Sequence, residues 1–486
     1  MTSTMANGAR GGAVTMLGEV SKLVIQMVAL IVLSRLLTPA DFGLIAMVSV
    51  ILALGELLRD FGIASAALSA PSLSRQQASN LFWASNAVGL LLSVALLVCT
   101  PLIVDFYNSP QLASVIPIFA LVLVLNGAQV QFRVNLARSM RFRALVVTDL
   151  IALIIAFVIA VSCAMSGMGY FALALQALAY ALLQLLLRAV AARWLPSLPR
   201  GDGETASLLR SGSHIGLSQL LTYAASNADT ISIGAQWGST ALGYYNRAFQ
   251  LLTTPLRATV GPLTNVVIPT ATRARAEGQD VDMVLLRIQT PLALLTAWIF
   301  MASAGVSPVL IPLVLGEQWV ASVPIFQALA IGGAVQALSY VNLWAFLLHE
   351  KTRSLLHYNI LTKSLTVLVV VLASFVSVQA VAWAYSIMLV ISWPIGLLWL
   401  RFVAGQDFWS YFRNGARVLF AATLGYLCSI AIVEGLQPVA NAWVALFVGV
   451  VTSSLVFTAV LCVLPSGRRE LRSAVAMARS ILRGAA

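Results

Sequence analysis

Six cations lie inside apolar stretches of this chain: Lys22, Arg35, Arg59, Arg247, Arg257 and Lys363. A charge in hydrocarbon costs about 2.5–3.5 kcal/mol even on the mildest insertion scale, so each must snorkel, pair with an acid or line a wet cavity. Arg35 and Lys363 are near enough to segment ends to snorkel. Arg59 and Arg257 are deeper: counted from Gly43 and Gly243 they lie about 24 and 21 Å along their helices, in the inner half of a membrane. The guanidinium fork matches phosphate oxygens, which makes this pair a candidate diphosphate-binding site. Glu56 and Asp60 flank Arg59 at helical spacing, and a self-contained ion cluster is the competing reading.

Asp229 and Arg247 sit at matched depths on consecutive segments. They are read as a salt bridge across that hairpin or as groups for gating or for coupling to an ion such as Na+ or H+, and no cofactor is expected. Glu19 and Lys22 are one turn apart and pair in the same way, while Asp149 is placed opposite Arg141 and Arg143. Pro255, Pro262 and Pro269 recur every seven residues, and each removes a backbone hydrogen bond and kinks its helix, as transport paths tolerate. No nucleophile triad, HExxH or phosphate-cradling loop is present, and His214, His349 and His357 are scattered. Cys99, Cys163, Cys428 and Cys462 lie in apolar segments without CxxC spacing, so neither a metal site nor a disulfide is expected. These residues point to a carrier rather than an enzyme.

The elements that hold these groups are membrane helices. With 60% hydrophobic and 9% charged residues, the chain has too little polar surface for a soluble fold. Fourteen apolar segments are each long enough to cross a hydrocarbon core of about 30 Å. Of the 29 Lys and Arg residues, 23 fall in alternate gaps between these segments, and the intervening gaps contain only acids. By the positive-inside rule both termini are then cytoplasmic. The net charge of +12 sits beside membrane segments, where anionic lipid rather than nucleic acid is the partner. The gaps on the acidic side are too short for an extramembrane catalytic domain.

An internal repeat organises the segments. Pro101 followed by Pro117-Ile118-Phe119 matches Pro308 followed by Pro324-Ile325-Phe326 at an offset of 207, and Gly43 matches Gly243 at an offset of 200. The expected architecture is therefore an all-α polytopic membrane protein with 14 transmembrane helices: two six-helix lobes in a parallel pseudo-twofold repeat plus two C-terminal helices. Residues 1–192 form the N-terminal lobe, 193–212 a cytoplasmic interlobe linker, 213–402 the C-terminal lobe and 403–465 the last two helices. Residues 466–486 form a basic amphipathic tail, with Arg468, Arg472, Arg479 and Arg483 on one face.

Four motifs carry a family resemblance: Leu36-Leu37-Thr38-Pro39-Ala40-Asp41-Phe42-Gly43, Asp60-Phe61-Gly62-Ile63, Asn227-Ala228-Asp229, and Leu242-Gly243-Tyr244-Tyr245-Asn246-Arg247-Ala248. With them the chain resembles the Wzx-like O-antigen and exopolysaccharide flippases, polysaccharide transporters of the multidrug/oligosaccharidyl-lipid/polysaccharide exporter superfamily. The resemblance implies a carrier in the bacterial inner membrane that moves an undecaprenyl-diphosphate-linked oligosaccharide to the outer leaflet by alternating access. It also implies a polyprenyl-diphosphate-linked glycan and the polysaccharide polymerase and export machinery as partners. An ion-coupled multidrug/cation antiporter and a cell-wall lipid precursor flippase of the same fold are the rival functions.

Overall fold

A computed structural model describes residues 2–60, 73–200, 223, 226–436, 441–464 and 467, and these are almost wholly helical. The first helices are α1 (Thr2–Leu36), α2 (Pro39–Asp60), α3 (Arg75–Val98), the short α4 (Thr100–Tyr107), α5 (Leu112–Arg138), α6 (Phe142–Met165) and α7 (Tyr170–Ala192). Next come α8 (Ala228–Ala276), α9 (Val281–Leu315), a 3-10 turn (Glu317–Ser322), α10 (Val323–Leu348), α11 (Thr352–Ser374), α12 (Val378–Ala404), α13 (Phe408–Leu436) and α14 (Ala442–Val463). Twelve helices among the described residues are long and apolar enough to cross a membrane. The all-α polytopic class is the observed one; the count of fourteen spans is approximate. The expected seventh segment, 211–235, falls mostly on residues outside those described, as does the basic tail at 468–486. The expected third segment is two helices joined at Cys99, with Pro101 in the first turn of the second.

Local chemistry explains where several helices begin. Thr38 precedes α2, and its amide and hydroxyl both donate to Asp41 Oδ2, at 2.9 and 2.7 Å. Pro39 fills the first helical position, where a missing N–H costs nothing. The Thr-Pro-Ala-Asp motif is thus a helix start. At α3 Ser74 accepts from the Gln77 amide while Gln77 reaches back to the Ser74 amide, a capping box.

By contacts the chain divides into two units, Met1–Asn246 and Arg247–Ala486. In the first unit α5 packs on α2, α3 and α7, and α6 packs on α7 and α1. Helices in a bilayer gain little from apolar burial against one another, so close backbone approach at small residues does the work. A Cβ on Gly127 would lie 3.0 Å from the Ser85 carbonyl, and one on Gly89 3.2 Å from the Leu123 carbonyl. The tightest approach joins the two repeated glycines. A Cβ on Gly43 would sit 1.7 Å from the Ser239 carbonyl oxygen, and one on Gly243 1.9 Å from that of Pro39. In the second unit α9 packs on α10, α13 and α14, and α10 also packs on α12. The repeated prolines open comparable elements, with Pro117 in the second turn of α5 and Pro324 in the first of α10, and Phe119 and Phe326 behind them are buried.

At the expected connection 236–242, between the apolar segments 211–235 and 243–270, α8 shows one interruption. Gly238 has φ 74° and ψ −175°, values that glycine alone adopts without strain, and helix resumes on either side. Helical backbone then continues through Pro255, Pro262 and Pro269.

Candidate functional site

Arg59 lies on the last turn of α2 with 7% of its surface exposed. Its side chain runs beside α3, where a Cβ on Gly89 would meet its Cδ at 3.8 Å. Glu56, one turn earlier, accepts a hydrogen bond from Asn126 Nδ2 on α5. Asn126 Oδ1 accepts from Gln129 Nε2 at 2.6 Å, and Gln129 Oε1 accepts from Arg188 Nη1 on α7. Arg188 Nη2 reaches Asp149 Oδ1 on α6 at 2.6 Å, and Lys22 Nζ on α1 lies 2.7 Å from Asp149 Oδ2 and 3.0 Å from Glu19 Oε1. A guanidinium only donates, so it fixes the sense of every amide between itself and Glu56: Gln129 must offer its oxygen to Arg188 and its NH2 to Asn126. The result is a continuous polar chain from α2 through α5, α7 and α6 to α1.

Arg188 is a member of this chain that sequence reading counts only among the cations of the gaps; α7 continues past it to Ala192 and its side chain is 6% exposed. The available signal was the row Gln176, Tyr180, Gln184 and Arg188 at successive i+4 positions of α7, a polar stripe on a mostly apolar helix. Asp149 likewise bonds Lys22 and Arg188, while Arg141, one of its expected partners, donates to the Ala191 carbonyl at 2.7 Å. The side chain of Asp60 lies outside the described residues.

Asp229 is buried, and its Oδ2 accepts from the Tyr245 hydroxyl at 2.7 Å across the Gly238 break. Its Oδ1 accepts from the Thr230 amide at 2.8 Å. Arg247, also buried, donates to Gln250 at 3.1 Å. Arg257 is on the helical backbone of α8, and its side chain, with those of Pro255 and Pro262, lies outside the described residues; Pro269 is exposed.

Part of the expected linker is fastened down. Trp194 packs edge-on against Phe82 and Phe132. Ser197 N donates to Ser79 Oγ at 3.0 Å, and its carbonyl accepts from Trp83 Nε1 at 2.8 Å. Asn80 clasps the Arg200 backbone from both sides, Nδ2 donating to the carbonyl at 2.8 Å and Oδ1 accepting from the amide at 3.0 Å. A segment without regular secondary structure is held here by polar side chains on the first turns of α3. In the second unit Asp282, in the first turn of α9, gathers His349 Nε2 at 3.1 Å, Gln406 Nε2 at 3.2 Å and the Tyr411 hydroxyl. Among the described residues no group of His, Cys, Asp and Glu is placed to hold a metal ion.

A profile described as "Polysaccharide biosynthesis protein" matches residues 32–324, a stretch that includes both repeated glycine motifs and the polar chain from Glu56 to Arg188. The chain belongs to this family. This polysaccharide transporter is 26% identical over 423 residues to the teichuronic acid biosynthesis protein TuaB of Bacillus subtilis (strain 168), covering 83% of this chain and 84% of that one. It is 24% identical over 318 residues, 64% of each chain, to the lipopolysaccharide biosynthesis protein WzxC of Escherichia coli (strain K12). The lipid II flippase MurJ in an inward closed conformation shares the fold of the transporter with a TM-score of 0.70, at 11% identity, over 93% of this chain and 98% of that one. An inward-facing multidrug resistance MATE transporter of the MOP superfamily follows with a TM-score of 0.57, at 14% identity, over 82% and 98%. The transporter is thus an integral membrane protein of polysaccharide biosynthesis with the fold of the MOP superfamily.

Proposed function

We propose that the transporter carries an undecaprenyl-diphosphate-linked oligosaccharide from the cytoplasmic to the outer leaflet of the bacterial inner membrane by alternating access, with both termini cytoplasmic and no covalent chemistry of its own. The observation that carries this reading is the family match across residues 32–324, which spans the charged helices α2 and α8. Arg59 and Arg257 bind the diphosphate, whose oxygens accept the forked guanidinium hydrogen bonds. Residues 1–192 and 213–402 act as two lobes joined by the 193–212 linker, and the membrane, the lipid-linked glycan and the downstream polymerase are the partners.

The test is export. Arg59→Ala and Arg257→Ala are each expected to abolish delivery of the glycan to the outer leaflet while the protein stays at normal abundance in the membrane. Normal export by both would sink the diphosphate site. Asp229 and Arg247 are assigned to ion coupling or gating. Exchanging the two charges should then fail to restore export, whereas recovery by the exchange would make them a structural pair.

A further inference from the structure

Lys22 and Asp149 join two elements whose charges are each balanced without the other. Within the first unit α1 meets its neighbours chiefly along α6. Next to that contact Gly18 is so close to α6 that a Cβ would lie 3.2 Å from Val146 Cβ. The buried face of α6 beyond Asp149 is Ala152, Ala156, Ala160 and Ala164, so Asp149 is the one charged group on that face. Lys22 Nζ is the charged tether, 2.7 Å from Asp149 Oδ2.

Opening a buried ion pair is costly because it strands an uncompensated charge. This pair is built differently. Lys22 is also 3.0 Å from Glu19, one turn away on its own helix, and the Glu19 side chain is 61% exposed. Asp149 also holds Arg188 Nη2 at 2.6 Å and Gln184 Nε2 at 3.3 Å, both on α7. If α1 departs, Lys22 leaves with Glu19 and Asp149 stays with Arg188. Each side keeps an opposite charge, so the tether opens without stranding either one.

We propose that the Lys22–Asp149 contact is a releasable latch: the Gly18–Lys22 half of α1 parts from α6 during the transport cycle, while α6 and α7 stay joined through Asp149 and Arg188. The cycle itself rests on the transport reading above. The latch stands on its charge geometry.

The test uses the full chain with Cys99, Cys163, Cys428 and Cys462 changed to Ser, carrying Gly18→Cys and Val146→Cys. Oxidation in membrane vesicles should form the disulfide, followed by loss of free thiols to a maleimide probe, and should abolish glycan export; reduction should restore it. Adding Lys22→Met should slow cross-linking several-fold, because α1 then spends less time on α6. Normal export by the cross-linked protein overturns the latch, as does a cross-linking rate that ignores Lys22→Met. The cross-linking rate needs no substrate, so a chain that exports nothing under any condition refutes the transport reading and leaves this arm intact. A second variant avoids cysteines. Glu19→Gln removes the charge to which Lys22 retreats, so export should fall several-fold, and adding Lys22→Met should recover it. Unchanged export in Glu19→Gln overturns the proposal.

Discussion

In the first unit Asp149 lies on α6 within the bundle and faces two full positive charges, Lys22 and Arg188. In the second unit Asp282 lies in the first turn of α9 and is met by an imidazole, an amide and a phenol, from His349, Gln406 and Tyr411. The two carboxylates are comparably shielded, with side chains 13% and 21% exposed, yet they are held by different means. Full charges in low dielectric interact strongly and must all be present; around an edge carboxylate with several hydrogen-bond partners each partner is individually replaceable. The carboxylate of the first unit is thus tied by ions and that of the second by a mixed set of donors. Asp282 also opens α9, which with α10 is more buried than any other described span, whereas α11 to α14 of the same unit are no more buried than α1 to α7.

The strongest test of that contrast is Asp149→Asn. It leaves Arg188 buried without its carboxylate and should destabilise the fold by about 3–5 kcal/mol, read as lost protein and a lowered Tm in detergent. Gly43→Ala comes next, because the obstacle is the Ser239 carbonyl oxygen and backbone cannot swing aside. Overpacking of about 1–3 kcal/mol is expected, with reduced monodisperse protein on gel filtration. Asn80→Ala removes both hydrogen bonds to the Arg200 backbone, each worth about 0.5–1.5 kcal/mol. Trypsin should then cut after Arg200 faster, with little change in global Tm. Asp282→Asn should do least, about 1 kcal/mol, since an amide oxygen still accepts from Gln406 and Tyr411. A Tm drop as large as that of Asp149→Asn would break the comparison.

The all-α membrane class was legible because an apolar run of span length has few alternatives, and the helix starts at Thr38-Pro39-Ala40-Asp41 and Ser74 are written in local chemistry. The inward pairing of Arg188 was hidden for a physical reason. Cations near helix ends usually lie at the interface, and nothing in a linear count distinguishes one that turns inward to Asp149 from one that turns out to lipid head groups. The chain through Asn126 and Gln129 was invisible for a related reason: amides in membrane helices carry no charge pattern, and their partners are 59 and 70 residues away in sequence. The strap at 197–200 reads as an ordinary Pro-rich linker until Asn80 is seen beside it.

The break at Gly238 has a practical side. Because one residue makes the whole turn between two helical stretches, this hairpin offers no loop in which to insert an epitope tag, a protease site or a fluorophore. Any larger side chain there must adopt a positive φ, so even a single-cysteine probe would report on a distorted hairpin. Labelling of this turn is better attempted at the neighbouring Trp237, which is 44% exposed and lies outside the positive-φ position.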